Sequence, residues 1–170
     1  MTISTKMYAT ALFEISEDDP LAYLSELDAF SEILNSDKSI SNYFLKTYDQ
    51  FNLVADILKS KFSSTFINFL KIIYENRVFR DLVNIRSNYQ EILVENDLIT
   101  LVTVTSAKEL SVQSKNEIIE MVKAKYKAPL KISYDINKEL ISGFIIRVNS
   151  DIYDTSVKSK LDQIRQLEVA

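Results

Sequence analysis

Cysteine and histidine are both absent from this 170-residue chain. Without cysteine there are no disulfides, no thiolate metal sites and no cysteine nucleophile. Without histidine, histidine-based triads and most zinc or non-haem iron sites are excluded as well. Chemistry would have to rest on carboxylates, Lys, Tyr and Ser, and helical spacing brings no carboxylate pair together on a buried face. Glycine occurs once, at Gly143. A phosphate loop or dinucleotide fingerprint needs several, so the lone glycine is expected to mark one bend in one sheet. Long apolar runs are missing too. The richest, Phe66 to Tyr74, is broken by Asn68 and Lys71, far short of the ~20 residues that span a bilayer. Lys6 is soon followed by Glu14, Glu17, Asp18 and Asp19, unlike a signal or transit peptide. These absences point to a cytoplasmic chain with no direct membrane insertion, no catalytic residues, no metal and no cofactor.

What is present suits a folded protein. Apolar residues make up 46%, with nine Phe and nine Tyr, enough for a core. Charged residues at 26% match folded rather than disordered chains. Charge is uneven: residues 1–97 hold 9 basic and 15 acidic side chains, residues 98–170 hold 11 and 9. The acidic front half argues against nucleic acid, whose phosphates need a basic stripe.

Residues 1–97 read as successive helices. In the first, about Ile3 to Ile15, one stripe holds Ile3, Met7 and Ala11 and the next Tyr8, Leu12 and Ile15. Such a wide apolar arc means either that the bundle wraps this helix on two sides or that a groove there accepts a partner helix. Asp18-Asp19-Pro20 starts a second helix with Leu24, Leu27 and Phe30, and Asn35-Ser36-Asp37 a short third with Ile40, Phe44 and Leu45. Asp49 caps a fourth with Phe51, Val54, Ile57 and Leu58. Ser63-Ser64-Thr65 opens a fifth through Phe66, Phe69, Leu70, Ile73 and Tyr74. After a break near Asn76-Arg77, a sixth carries Leu82, Ile85, Tyr89, Ile92 and Leu93.

After Asn96-Asp97 the pattern changes. Leu98 to Val104 is β-branched and reads as a strand. Ser111 caps a helix with Ile118, Ile119, Val122 and Tyr126, and Pro129 lies beyond its end. Leu130, Ile132, Tyr134 and Ile136 alternate with polar residues as a half-buried strand. Gly143 precedes a third strand, Phe144 to Val148, and Asp154 or Ser156 caps a last helix with Val157, Leu161 and Ile164. The expected fold is mainly α with an α+β part: a six-helix bundle over 1–97, then a β-α-β-β-α domain over 98–170.

Candidate chemistry is thin. Asp18-Asp19 is accounted for by the positive end of a helix, and Lys123, Lys125 and Lys127 by the negative end of another. Arg77 and Arg80 sit beside Glu75 and Asp81 as surface ion pairs do. Asn35 to Lys46 has Ile40 and Lys46 where a calcium loop needs Gly and Glu.

Several strings resemble one family. Tyr8-Ala9-Thr10-Ala11-Leu12-Phe13 resembles the YAxALF opening of the delta subunit of the F-type ATP synthase, the family of the mitochondrial oligomycin-sensitivity-conferring protein. Asn68 to Asn76 is similar to its NFLxLLxEN helix, Val104-Thr105-Ser106-Ala107 with Leu110-Ser111 to its V-T-S-A strand end, Leu140 to Val148 to LIGGxxIRV, and Asp154 to Leu161 to DGSVRxxL. Ser142 stands for the first glycine of the pair and Thr155 for the glycine of DGS. The resemblance implies a non-catalytic stator subunit, peripheral to the cytoplasmic face of the membrane, that couples the head to the stalk during proton-driven ATP synthesis. Its first domain would bind the alpha and beta subunits of the head, taking the alpha N-terminus between the first and fifth helices. Groove residues would be Tyr8, Ala11, Leu12 and Ile15, with Phe66, Leu70 and Ile73 opposite. Its second domain would bind the b subunits of the peripheral stalk, with Gly143, Asp154 and Ser156 in structural roles.

Overall fold

The computed structural model describes residues 5–16, 19–36, 51–140 and 143–154, and for 52–54 the backbone alone. The third helix predicted around Ile40 to Leu45, the cap at Asp49, and Ser156 with the last helix lie outside the described residues. The chain divides into two compact units, Met1–Glu95 and Asn96–Ala170.

The first unit is helical: α1 Thr5–Ile15, α2 Pro20–Ser36, α3 Phe51–Leu58, α4 Ser64–Glu75, a 3-10 turn at Phe79–Asp81, and α5 Leu82–Glu95. A carboxylate and a hydroxyl set two of the starts. Asp19 accepts from the Ala22 amide (3.0 Å) and Ser63 from the Phe66 amide (3.2 Å), each satisfying an amide that has no partner within its helix. The core is aromatic and aliphatic. Phe30 of α2 meets Phe62, Phe66 and Phe79 edge-on, and Leu70, Ile73, Ile85 and Leu93 are fully buried around them.

α1 packs chiefly against α5, and the contact carries a polar seam. The Tyr89 hydroxyl donates to the Pro20 carbonyl (3.0 Å) and lies 2.9 Å from the Ser16 hydroxyl, itself 2.8 Å from the Phe13 carbonyl. Tyr89 and Ser16 are both buried. Burial pushes the Tyr89 phenol up from 10.0 to about 12. The unfolded chain therefore loses this proton first. The stability tied to it is whole below pH 10 and is lost as pH rises through 12. Tyr89→Phe is expected to cost about 1–2 kcal/mol at neutral pH, because the Ser16 hydroxyl and Pro20 carbonyl lose a partner. It should also flatten the alkaline fall in stability, measured by urea unfolding at pH 8 to 11.

α4 ends without glycine. Arg77 takes φ 59°. Its amide donates to the Tyr74 carbonyl (3.0 Å) and the Val78 amide to that of Ile73 (2.9 Å), the Schellman pattern that glycine usually closes. Arg77→Gly is expected to raise the stability of this unit by up to about 1 kcal/mol, the relief of a left-handed side chain less the extra freedom of the unfolded chain. Thermal melting checks it.

The second unit is a four-stranded sheet with one helix: β1 Thr100–Ser106, α6 Val112–Lys125, β2 Leu130–Ile136, β3 Phe144–Val148 and β4 Asp151–Asp154. Strand order is β2-β1-β3-β4. β1 and β2 pair in parallel across the α6 connection, and the other pairs are antiparallel. Ser111 caps α6, accepting from the Ser114 amide (3.1 Å). Ile118 and Val122 of α6 pack on Val102, Val104, Ile146 and Val148. β4 departs from the expected β-α-β-β-α order. Asp154 ends it, paired with Ile145. Four residues with acids at both ends are too short to show alternation. The first strand also runs two residues later than expected, because Leu98 and Ile99 precede the ladder while Thr105 and Ser106 pair on both sides.

β3 and β4 are joined by Asn149-Ser150. Asn149 has φ 51°. Its amide donates to the Leu101 carbonyl and its side-chain oxygen accepts from the Leu101 amide, both at 2.8 Å. It thus extends the β1–β3 ladder by one residue.

Candidate partner-binding site

α1 shows two faces. Tyr8, Ala9, Leu12 and Ser16 are buried, and Thr5 accepts from the Asn88 side chain of α5 (3.0 Å). Turned away are Met7, Ala11 and Ile15, one turn apart. Ala11 is exposed, and Met7 and Ile15 remain 60% and 52% exposed. Three apolar side chains in a stripe on a surface helix form a contiguous patch, unlike single exposed hydrophobics.

The seven predicted groove residues divide accordingly. Ala11 and Ile15 lie on the surface. Tyr8, Leu12, Phe66, Leu70 and Ile73 are at most 6% exposed and serve the interior of the first unit. On α4 the surface instead holds Asn68, Lys71, Ile72 and Glu75, with Ile72 half exposed. Met7 was not among the seven, although its spacing of four from Ala11 signalled the same stripe.

In the second unit, Gly143 takes φ 89°, a conformation closed to side-chain-bearing residues without strain. It lines a cleft of about 800 Å³ together with Ser106, Leu110, Ser114, Leu140 and Phe144. Two of the strings singled out in the sequence, Val104 to Ser111 and Leu140 to Val148, therefore meet at one end of the sheet. Ser106 is buried and its hydroxyl donates to the Lys108 carbonyl (2.7 Å).

The opposite end of α6 carries a polar network. Tyr126 donates to Asp151 (2.6 Å), Lys125 donates to Tyr153 and sits 3.5 Å from Asp151. The Lys125 ammonium also lies over the Tyr126 and Tyr153 rings, 5.3 and 5.1 Å from their centroids. The bond to the Asp151 carboxylate pushes the Tyr126 phenol up to about 12, and the same bond holds Asp151 down. The bond from Lys125 lowers Tyr153, and Lys125 is raised in return. The evident effect of this network is to tie edge strand β4 to the end of α6.

Among the described residues no cluster of His, Cys, Asp or Glu could hold a metal, and no helix is long and apolar enough to cross a membrane.

Comparison with known proteins places this architecture. The sequence model of the ATP synthase delta (OSCP) subunit family matches residues 5–167. The ATP synthase subunit delta of Prochlorococcus marinus (strain MIT 9312) is 32% identical over 170 residues, 96% of this chain and 93% of the relative. That of Chlorobium chlorochromatii (strain CaD3) is 27% identical over 176 residues, covering 100% and 98%. A chain of the cryo-EM structure of the Toxoplasma gondii mitochondrial ATP synthase hexamer superposes with a TM-score of 0.69 over 99% of both chains at 20% identity, a likeness of fold. With the family pattern spanning both the helical unit and the sheet unit, the chain belongs to the ATP synthase delta (OSCP) subunit family.

Proposed function

We propose that this chain is a non-catalytic stator subunit of an F-type ATP synthase, holding the catalytic head against the torque of the rotor. Beyond family membership, the observation that carries the reading is the exposed Met7–Ala11–Ile15 stripe on a helix whose other face is already buried. Its inner side is occupied by α5, so the stripe is free to take the apolar side of a helix from the alpha subunit. An apolar anchor in such a contact is worth ~2 kcal/mol or more. The second unit is assigned to the end of the peripheral stalk, the b subunits. The division of labour needs no active site, only two contacts stiff enough to bear load. The complex would sit at the cytoplasmic face of the membrane, with this chain peripheral to it.

The test is affinity capture from solubilised native membranes followed by mass spectrometry. Alpha, beta and b subunits should co-purify with the intact chain. Residues 1–95 alone should retain the head subunits and lose b. Recovery of none of the three would overturn the assignment.

A further inference from the structure

We propose that Glu26 is a positioning residue for the head-binding face, acting through Ser63 to fix the start of α4. This rests on the reading that the first unit holds the head.

Glu26 of α2 directs both carboxylate oxygens to one residue. Oε1 accepts from the Ser63 amide (2.5 Å) and Oε2 from the Ser63 hydroxyl (3.0 Å). The Ser63 hydroxyl oxygen in turn accepts from the Phe66 amide. Because its one hydrogen is committed to Glu26, its lone pairs stay aimed at the first turn of α4. The carboxylate also lies against the positive end of that helix, where negative charge is favoured. One turn further along α2, Phe30 packs edge-on against Phe62 and Phe66, with centroids 5.8 and 6.3 Å away. α2 therefore grips the start of α4 at two successive turns, one polar and one aromatic.

The same helix holds the other side of the unit. Asp28, two residues on, accepts from Arg86 of α5 (2.5 Å), and α5 carries α1. α2 is thus the frame to which α4 and the α1–α5 pair are both fastened. Fraying of the first turn of α4 would release Phe66 and lower the fraction of molecules ready to bind, and apparent affinity falls with that fraction.

The test uses the full chain and a synthetic peptide of the N-terminal helix of the alpha subunit from the same complex. Glu26→Ala is expected to speed hydrogen exchange at the Phe66 amide about five-fold, the usual scale of a lost helix cap, and to weaken peptide binding by no more than that factor. Glu26→Gln should restore only part of each, since its carbonyl oxygen still accepts from the Ser63 amide while its amino group cannot accept from the Ser63 hydroxyl. Ser63→Ala added to Glu26→Ala should cause little further loss. Unchanged affinity in Glu26→Ala, with the wild type binding, overturns this role and leaves the head assignment standing. A wild type that ignores the peptide overturns both.

Discussion

Replacing Ala11 with aspartate is expected to weaken the complex with the catalytic head roughly thirty-fold, about 2 kcal/mol, while the isolated chain stays folded. The two halves of that expectation come from the two faces of α1. Ala11 is exposed, so aspartate there costs the free protein only helix propensity, about 0.5 kcal/mol. Against the apolar side of a partner helix the same carboxylate would lose its water. Leu12, the next residue, is fully buried. Leu12→Ala should do the reverse, destabilising the first unit by about 2–5 kcal/mol through the cavity it leaves. Circular dichroism and titration with the alpha-subunit peptide separate the two variants. An Ala11→Asp chain that binds as tightly as the wild type would remove α1's outer stripe from the interface.

Asn149→Ala is expected to destabilise the second unit by about 2–4 kcal/mol. The Leu101 amide, half-buried, would lose its acceptor at a cost of about 1–3 kcal/mol, and a β-carbon without asparagine's tolerance would remain at φ 51°, adding about 1 kcal/mol. The two contributions can be separated. Asn149→Gly relieves the dihedral and still lacks the acceptor, so it should fall between alanine and the wild type. Urea unfolding gives the totals, and hydrogen exchange at Leu101 reports the lost bond directly. If Leu101 stayed equally protected in Asn149→Ala, the ladder extension would carry no weight.

Much of the helical unit was legible because its stripes are long. Leu24, Leu27 and Phe30, or Leu82, Ile85, Tyr89 and Leu93, recur at helical spacing, and all are buried. The caps at Asp19, Ser63 and Ser111 were readable for the same local reason. What periodicity does not carry is which of two adjacent apolar edges turns inward. That is settled by Asn88 and Tyr89, residues far from α1 in sequence. Hence α1's width was plain while its inward side was not, and Phe66, Leu70 and Ile73, which the family resemblance put in a groove, are buried. β4 was hidden by its brevity. β2 was visible as an alternating strand, yet its last four residues are exposed, because it is an edge strand of which only Leu130 and Ile132 pack on the core of this unit. The Glu26–Ser63 bond joins residues 37 apart and leaves no local mark.

The seating of α1 on α5 has a consequence for the order of events on the ribosome. Thr5 meets Asn88 and Ser16 meets Tyr89, sequence separations of 83 and 73. At synthesis rates of 5–20 residues per second, roughly 4–17 seconds pass between the making of α1 and of its seat. Through that interval Tyr8 and Leu12 are as uncovered as Met7 and Ile15. The nascent chain then offers its full apolar arc to whatever is near, and the arrival of α5 narrows it to the single stripe that the finished subunit displays.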